Sequence, residues 1–206
     1  MKGNNLELKK RALFLSYFTV IYNIFEGLVS IFAGSAAGSI SLIGFGFDSF
    51  VESLSGGIMI WRFSSAGMIS EEEEKKIERK AEKFVAMTFF ILSAYVLYES
   101  VTKLVLREVT QVSILGFIIT ILSLIIMPIL YIAKFRTGKK LGSNSLMADS
   151  KETLCCCYLS AAVLIGLILN ATLHLWWADP VIGLLVVYFL IREGIGAWNG
   201  GCGKEC

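Results

Sequence analysis

Apolar side chains gather into six stretches along the chain, at about residues 12–33, 38–61, 84–105, 112–133, 145–170 and 180–198, each long enough for the roughly 20 residues that cross a hydrocarbon core about 30 Å thick. Short polar connections separate them. The pattern predicts an all-α protein, an integral membrane bundle of six transmembrane helices forming a single transmembrane domain over residues 1–206. Little chain remains for a separate cytoplasmic C-terminal domain, and none is expected. The first stretch follows Lys9, Lys10 and Arg11, and Ala33-Gly34-Ser35-Ala36 faintly resembles a signal-peptidase site. Its apolar run is longer than the roughly 7–15 residues of a signal peptide, so it reads as the first span.

Composition supports lipid as the solvent. Hydrophobic residues make up 55% and charged residues 17%, against roughly 25% charged in soluble domains. Mean hydropathy is +0.69. The net charge of +2 is uninformative about partners, and no nucleic-acid partner is expected. The placement of charge says more. Lys2, Lys9, Lys10 and Arg11 precede span one. Arg62, Lys75, Lys76, Arg79, Lys80 and Lys83 join spans two and three, and Lys134, Arg136, Lys139 and Lys140 join spans four and five. The opposite side has little more than Arg107. By the positive-inside rule both termini face the cytoplasm, and a cell (inner) membrane is the expected host.

Local signals refine the elements. Glu71-Glu72-Glu73-Glu74-Lys75-Lys76 reads as a helical extension of span three, with i,i+4 pairs Glu71–Lys75 and Glu72–Lys76. A solvated helix end explains it; an acidic patch that collects metal at a pore mouth is the sharper alternative. Pro128 should kink span four. Asp179 as N-cap and Pro180 at the first helical position open span six, behind the interfacial Trp176 and Trp177.

An internal repeat is the most informative feature. Gly38-Ser39-Ile40-Ser41-Leu42 opens span two, and Gly142-Ser143-Asn144-Ser145-Leu146 opens span five. Ten residues beyond each glycine stand Asp48 and Glu152, and four further stand Glu52 and Cys156. The two copies enter the membrane from opposite sides, as inverted repeats do when they place a binding site near the midplane.

Acids inside spans are costly, about 2.5–3.5 kcal/mol each on insertion scales, and mark ion pathways. Glu26, Asp48, Glu52, Glu99, Asp149 and Glu152 all fall in or near spans. Snorkelling or water-filled burial at a span end accounts for Glu193 beside Arg192, but poorly for Asp48 and Glu52. Those two share a helix face and repel unless a cation or protons intervene. Such acids can carry protons when empty and release them to a dication, since metal ligands must be deprotonated. Asp149, Glu152 and Cys156 share a face of span five, while Lys151 points about 100° away. Three carboxylates and a thiolate suit tetrahedral zinc, with manganese, iron or cadmium as other candidates. Asp149 is the alternative fourth ligand or an entry-side acid.

The remaining candidates carry less. Cys155 and Cys157 flank Cys156, point in other directions and read as packing. Cys202 and Cys206 lie in a Gly-rich tail that is expected to be reduced. Ser49, Ser53 and Gly57 recur every four residues and predict close approach of span five to span two. His174, the single histidine, is read as a surface residue of the outer loop. Glu26 with Asn23, and Glu99 with Tyr95, are proton-path or supporting candidates.

These residues resemble the cation diffusion facilitator family. The match lies in Gly38-Ser39, Asp48-Ser49-Phe50-Val51-Glu52, Ala148-Asp149-Ser150-Lys151-Glu152 with Cys156, and Ala178-Asp179-Pro180, within a likeness spanning about residues 10–198. The resemblance implies six transmembrane helices, a tetrahedral metal site between the second and fifth, and alternating access exchanging outgoing metal for incoming protons. It is similar to a compact branch with an Ala-Asp-Ser-x-Glu-Thr signature. The family commonly has a histidine among its four ligands, and this chain has none there. Most members also carry a cytoplasmic metal-binding domain that helps them dimerise, so a homodimer here would form through membrane helices. A proton-coupled organic-cation exporter, a thiol-redox enzyme and a non-transporting membrane metal sensor are the rival readings. The redox reading lacks a Cys-x-x-Cys pair, so an enzyme is not expected.

Overall fold

The computed structural model describes residues 2–64 and 71–199, which form six helices and no strand: α1 (Lys2–Ala37), α2 (Ile40–Ser64), α3 (Glu71–Leu106), α4 (Ile114–Leu141), α5 (Asn144–Leu173) and α6 (Ala178–Trp198). Four are long and apolar enough to cross a membrane, over Leu6–Ala37, Ala86–Leu106, Ile114–Leu141 and Ser145–Leu173. The acidic start of α3 is helical, as its composition predicts, but the side chains of Glu71 to Lys76 lie outside the described residues, as does the tail holding Cys202 and Cys206.

The breaks between helices have local causes. Gly38 and Gly142 take left-handed φ values of 65° and 64°, a conformation glycine enters without a Cβ clash, and so end α1 and α4. The serine after each caps the next helix. Ser39 Oγ accepts from Leu42 N at 3.2 Å, and Ser143 Oγ accepts from Leu146 N at 3.4 Å. The Gly-Ser repeat is thus a repeated stop-and-start device, one copy at each end of the bundle. α4 begins the same way, with Ser113 accepting from Gly116 N at 3.0 Å.

Burial is inverted relative to a soluble protein. Large apolar side chains such as Phe14, Ile21, Phe32, Ile91, Ile114 and Ile129 stand exposed around the bundle, while buried polar side chains are nearly as numerous as buried apolar ones. A lipid solvent produces this pattern, because apolar side chains lose nothing by facing it. α1 gives the clearest case, with Ser16, Thr19, Asn23, Glu26 and Ser30 forming one fully buried stripe.

α1 packs on α2, α3 on α6 and α4 on α5, while α2 also meets α3, α5 and α6 and so runs through the interior. α1 and α2 approach each other closely. A Cβ at Gly27 would stand 2.8 Å from the Gly46 carbonyl, and one at Gly56 would stand 2.8 Å from Val20 Cγ2. The expectation that Ser49, Ser53 and Gly57 draw span five in is corrected. A Cβ at Gly57 would meet nothing within 4 Å, and Ser49 donates to Glu26 of α1. Ser49 serves the α1 side, where Gly27 of α1 and Gly46 of α2 let the backbones meet.

At the end where α2 and α6 begin, one carboxylate ties several elements together. Asp179 Oδ1 accepts from Ser39 Oγ and Ser41 Oγ, each at 2.5 Å. Its Oδ2 accepts from Ile40 N at 2.9 Å and Thr110 Oγ1 at 3.2 Å. Lys103 Nζ donates to the Gly38 carbonyl, and Asn170 Nδ2 donates to the Thr110 carbonyl at 2.8 Å. Asp179 was expected to cap α6. That helix starts one residue earlier, at Ala178, and the carboxylate caps the start of α2 instead. The exposed His174 ends α5 in a left-handed conformation, its N–H donating to Asn170 O.

Candidate metal centre

Nine residues after each capping serine, the parallel construction of α2 and α5 delivers an acid, Asp48 on one helix and Glu152 on the other. Both line one small cavity, of about 20 Å³, which is room for about one water-sized particle. Its other walls are Val51 and Glu52 of α2, Phe89 of α3, Cys155 of α5 and Glu193 of α6. Four carboxylates therefore face one space. Asp48 is half-buried and Glu52 buried. Cys156 of α5 is buried.

Two residues outside the expected ligand set also border this cavity. Glu193, expected at a span end by snorkelling or water-filled burial beside Arg192, lines it. Cys155, expected as packing, also borders the cavity. Consecutive residues of a helix stand about 100° apart, so Cys155 borders the cavity while Cys156, an expected ligand, is buried and is not among its lining residues.

Lys134 is the residue that sequence reasoning placed wrongly. It was counted among the basic loop residues between spans four and five. α4 continues to Leu141, two turns beyond the expected end, and Lys134 is fully buried on its inner face. Its ammonium stands 2.9 Å from Asp149 Oδ2 and 3.8 Å from Glu52 Oε1, and donates to Thr153 Oγ1 at 2.9 Å. Thr153 in turn donates to Glu52 Oε1 at 2.6 Å. Ser55 donates to Asp149 Oδ1 at 3.2 Å. Both oxygens of Asp149 are thus engaged away from the cavity. Glu52 differs, because its Oε2 is buried with no hydrogen-bond partner among the described residues. A basic residue next to an apolar run was the available signal; its distance from Asp149, 15 positions on, gave no hint of contact.

Glu26 lies fully buried on α1 in a separate polar pocket. Tyr22 donates to its Oε1 at 3.0 Å and Ser49 to its Oε2 at 2.9 Å, with Ser123 of α4 nearby. Ser123 meets Ser160 of α5 at 2.8 Å, and Ser160 donates to the Cys156 carbonyl at 2.8 Å. A polar track therefore leads from Glu26 toward the turn of α5 that bears Cys156. Asn23, expected to support Glu26, has both side-chain polar atoms buried without a hydrogen-bond partner among the described residues. Glu99 is half-buried on α3 and does not line the cavity.

The acids converge without closing on one point. Among the described residues no group of three or more His, Cys, Asp or Glu side chains is disposed to hold a metal ion. The hold of Thr153 and Lys134 on Glu52 Oε1 gives a physical reason, since it turns one ligand atom toward α4.

Comparison with known proteins adds a sequence-wide match. The Cation efflux transmembrane domain matches residues 16–197. The chain is similar to Transmembrane protein 163 of Xenopus laevis, at 24% identity over 188 residues, covering 91% of this chain and 66% of that protein. It is also similar to an uncharacterized transporter of Methanocaldococcus jannaschii, at 25% over 178 residues, covering 84% of this chain and 62% of the relative. An uncharacterized transporter of Synechocystis matches at 25% over 166 residues, covering 79% and 54%. The chain spans somewhat less than two thirds of the length of these curated relatives.

Proposed function

The chain belongs to the cation efflux family, and from that premise we propose that it is a proton-coupled exporter of divalent metal ions, with zinc as its first substrate. The observation that carries this reading is the convergence of Asp48, Glu52 and Glu152 on one cavity inside a lipid-facing bundle. Ionisable groups at such depth are retained for ion passage.

In this reading Asp48 and Glu52 of α2, with Glu152 and Cys156 of α5, surround the cation. Zinc accepts oxygen and sulfur ligands in a tetrahedral set. The thiolate favours zinc or cadmium over manganese. Asp149 is the counter-ion of Lys134 and stands outside the ligand set. The four ligands come from two helices that start from opposite ends, so a small rotation of one against the other makes or breaks the site. Ligand protons leave as the cation enters and return as it departs, which couples the two flows. Glu26 with its serine track is a route for those protons. The Asp179 knot closes the end where α2 begins, and Glu193 sits near the other end of α6 as an entry-side acid. With both termini in the cytoplasm, entry is from the cytoplasm of a cell membrane and export follows. A homodimer would form through membrane helices.

The test is metal uptake into proteoliposomes carrying an imposed pH gradient and an internal zinc dye. Wild type takes up zinc only with the gradient, and Asp48→Ala, still folded, takes up none. Absence of flux with zinc, manganese, iron and cadmium would overturn the proposal.

A further inference from the structure

We propose that Lys134 is a built-in counter-cation that competes with the transported metal for Glu52, an inference that rests on the transport reading above. The side chain is fully buried on α4, a helix that contributes no ligand to the cavity. A buried ammonium is retained only where acids neutralise it. Asp149 Oδ2 at 2.9 Å does so alone, with Ser55 closing the other oxygen of that carboxylate. Yet the same ammonium also stands 3.8 Å from Glu52 Oε1 and is bridged to it through Thr153. Glu52 thereby has one oxygen held on the α4 side and the other, Oε2, buried without a hydrogen-bond partner among the described residues. That second oxygen is the one a cation in the cavity wall can use.

The consequence follows from charge. While the cavity is empty, Lys134 offsets part of the negative potential of Asp48, Glu52 and Glu152. When a dication enters, the fixed positive charge behind Glu52 repels it and weakens its hold. The ammonium thus lowers affinity and eases release, which suits a carrier that must let go of its cargo. It also ties α4 to the occupancy of the site, because a cation that draws Glu52 inward draws it away from Thr153 and Lys134. Lys134 is therefore a positioning residue acting through Glu52.

Zinc flux in the same proteoliposomes tests this, with KM and maximal rate measured separately. Lys134→Met is expected to lower KM by about tenfold and to slow maximal flux, because the site binds more tightly and releases more slowly. Lys134→Met/Asp149→Asn, which removes both charges of the ion pair, guards against misfolding of the single variant and is expected to lower KM by a smaller factor, because the lost Asp149 charge offsets part of the lost repulsion. A role in packing alone would reduce flux at unchanged KM. An unchanged or raised KM in either folded variant overturns the inference while wild-type flux leaves the transport reading intact. Absence of wild-type flux with every metal tried overturns both.

Discussion

Replacing Asp149 by asparagine separates a structural acid from a cargo ligand. The carboxylate is 2% exposed and lies 2.9 Å from the Lys134 ammonium. At an effective dielectric near 20 that pair attracts by about 6 kcal/mol. Glu52, at 3.8 Å, retains about 4 kcal/mol of attraction for the same ammonium and can move toward it after the substitution. Breaking one partner of a buried pair costs about 3–5 kcal/mol in soluble proteins, and the remaining neighbour reduces this. A loss of about 3 kcal/mol is expected. The assay is unfolding in mixed micelles by titration with denaturing detergent, followed by tryptophan fluorescence and circular dichroism. Asp48→Asn, in contrast, removes an acid from the cavity wall and should leave stability unchanged or raised. Lys134→Met/Asp149→Asn should recover most of the loss, since removing both charges avoids an unpaired ion. Asp149→Asn within about 0.5 kcal/mol of wild type, or strict additivity in the double variant, would refute the counter-ion assignment.

Three further outcomes are expected. Asp179→Ala leaves the Ser39 and Ser41 hydroxyls and the Ile40 N–H without their shared acceptor, and should destabilise the folded bundle by about 2–3 kcal/mol in the same titration. Gly27→Leu drives a side chain into the Gly46 carbonyl, 2.8 Å from the first added carbon, and should separate α1 from α2 and cost about 1–3 kcal/mol or more. Glu193→Gln takes one negative charge from the cavity wall and should raise the KM for zinc several-fold, by about 1 kcal/mol, with little change in stability.

The six helices were legible because lipid imposes long apolar stretches, and the breaks at Gly38-Ser39 and Gly142-Ser143 were legible because backbone geometry there demands glycine followed by a cap. Asp48 and Glu152 were visible as cavity residues for the same reason, since a helix of fixed pitch carries a spacing from its cap to its middle. What escaped was partnership between helices distant in sequence. Lys134 looked like a loop charge because the basic cluster after residue 133 gives no sign that the helix continues through it. Asp179 looked like a cap for its own helix because a local signal was present, whereas its four donors come from α2, its flanking turn and the α3–α4 connection. Glu193 and Ser49 show the same limit. Periodicity gives the face a side chain occupies, but not which helix lies opposite.

The most direct measurement is zinc K-edge X-ray absorption on the chain loaded with one equivalent of metal, in a Cys202→Ser/Cys206→Ser background. Oxygen ligands near 2.0 Å and one sulfur near 2.3 Å are expected. The sulfur should vanish in Cys156→Ser and persist in Cys157→Ser, and zinc binding should be lost in Asp48→Ala. A sulfur-free shell in the parent, or full zinc binding retained by Asp48→Ala, would contradict a cation site built from α2 and α5.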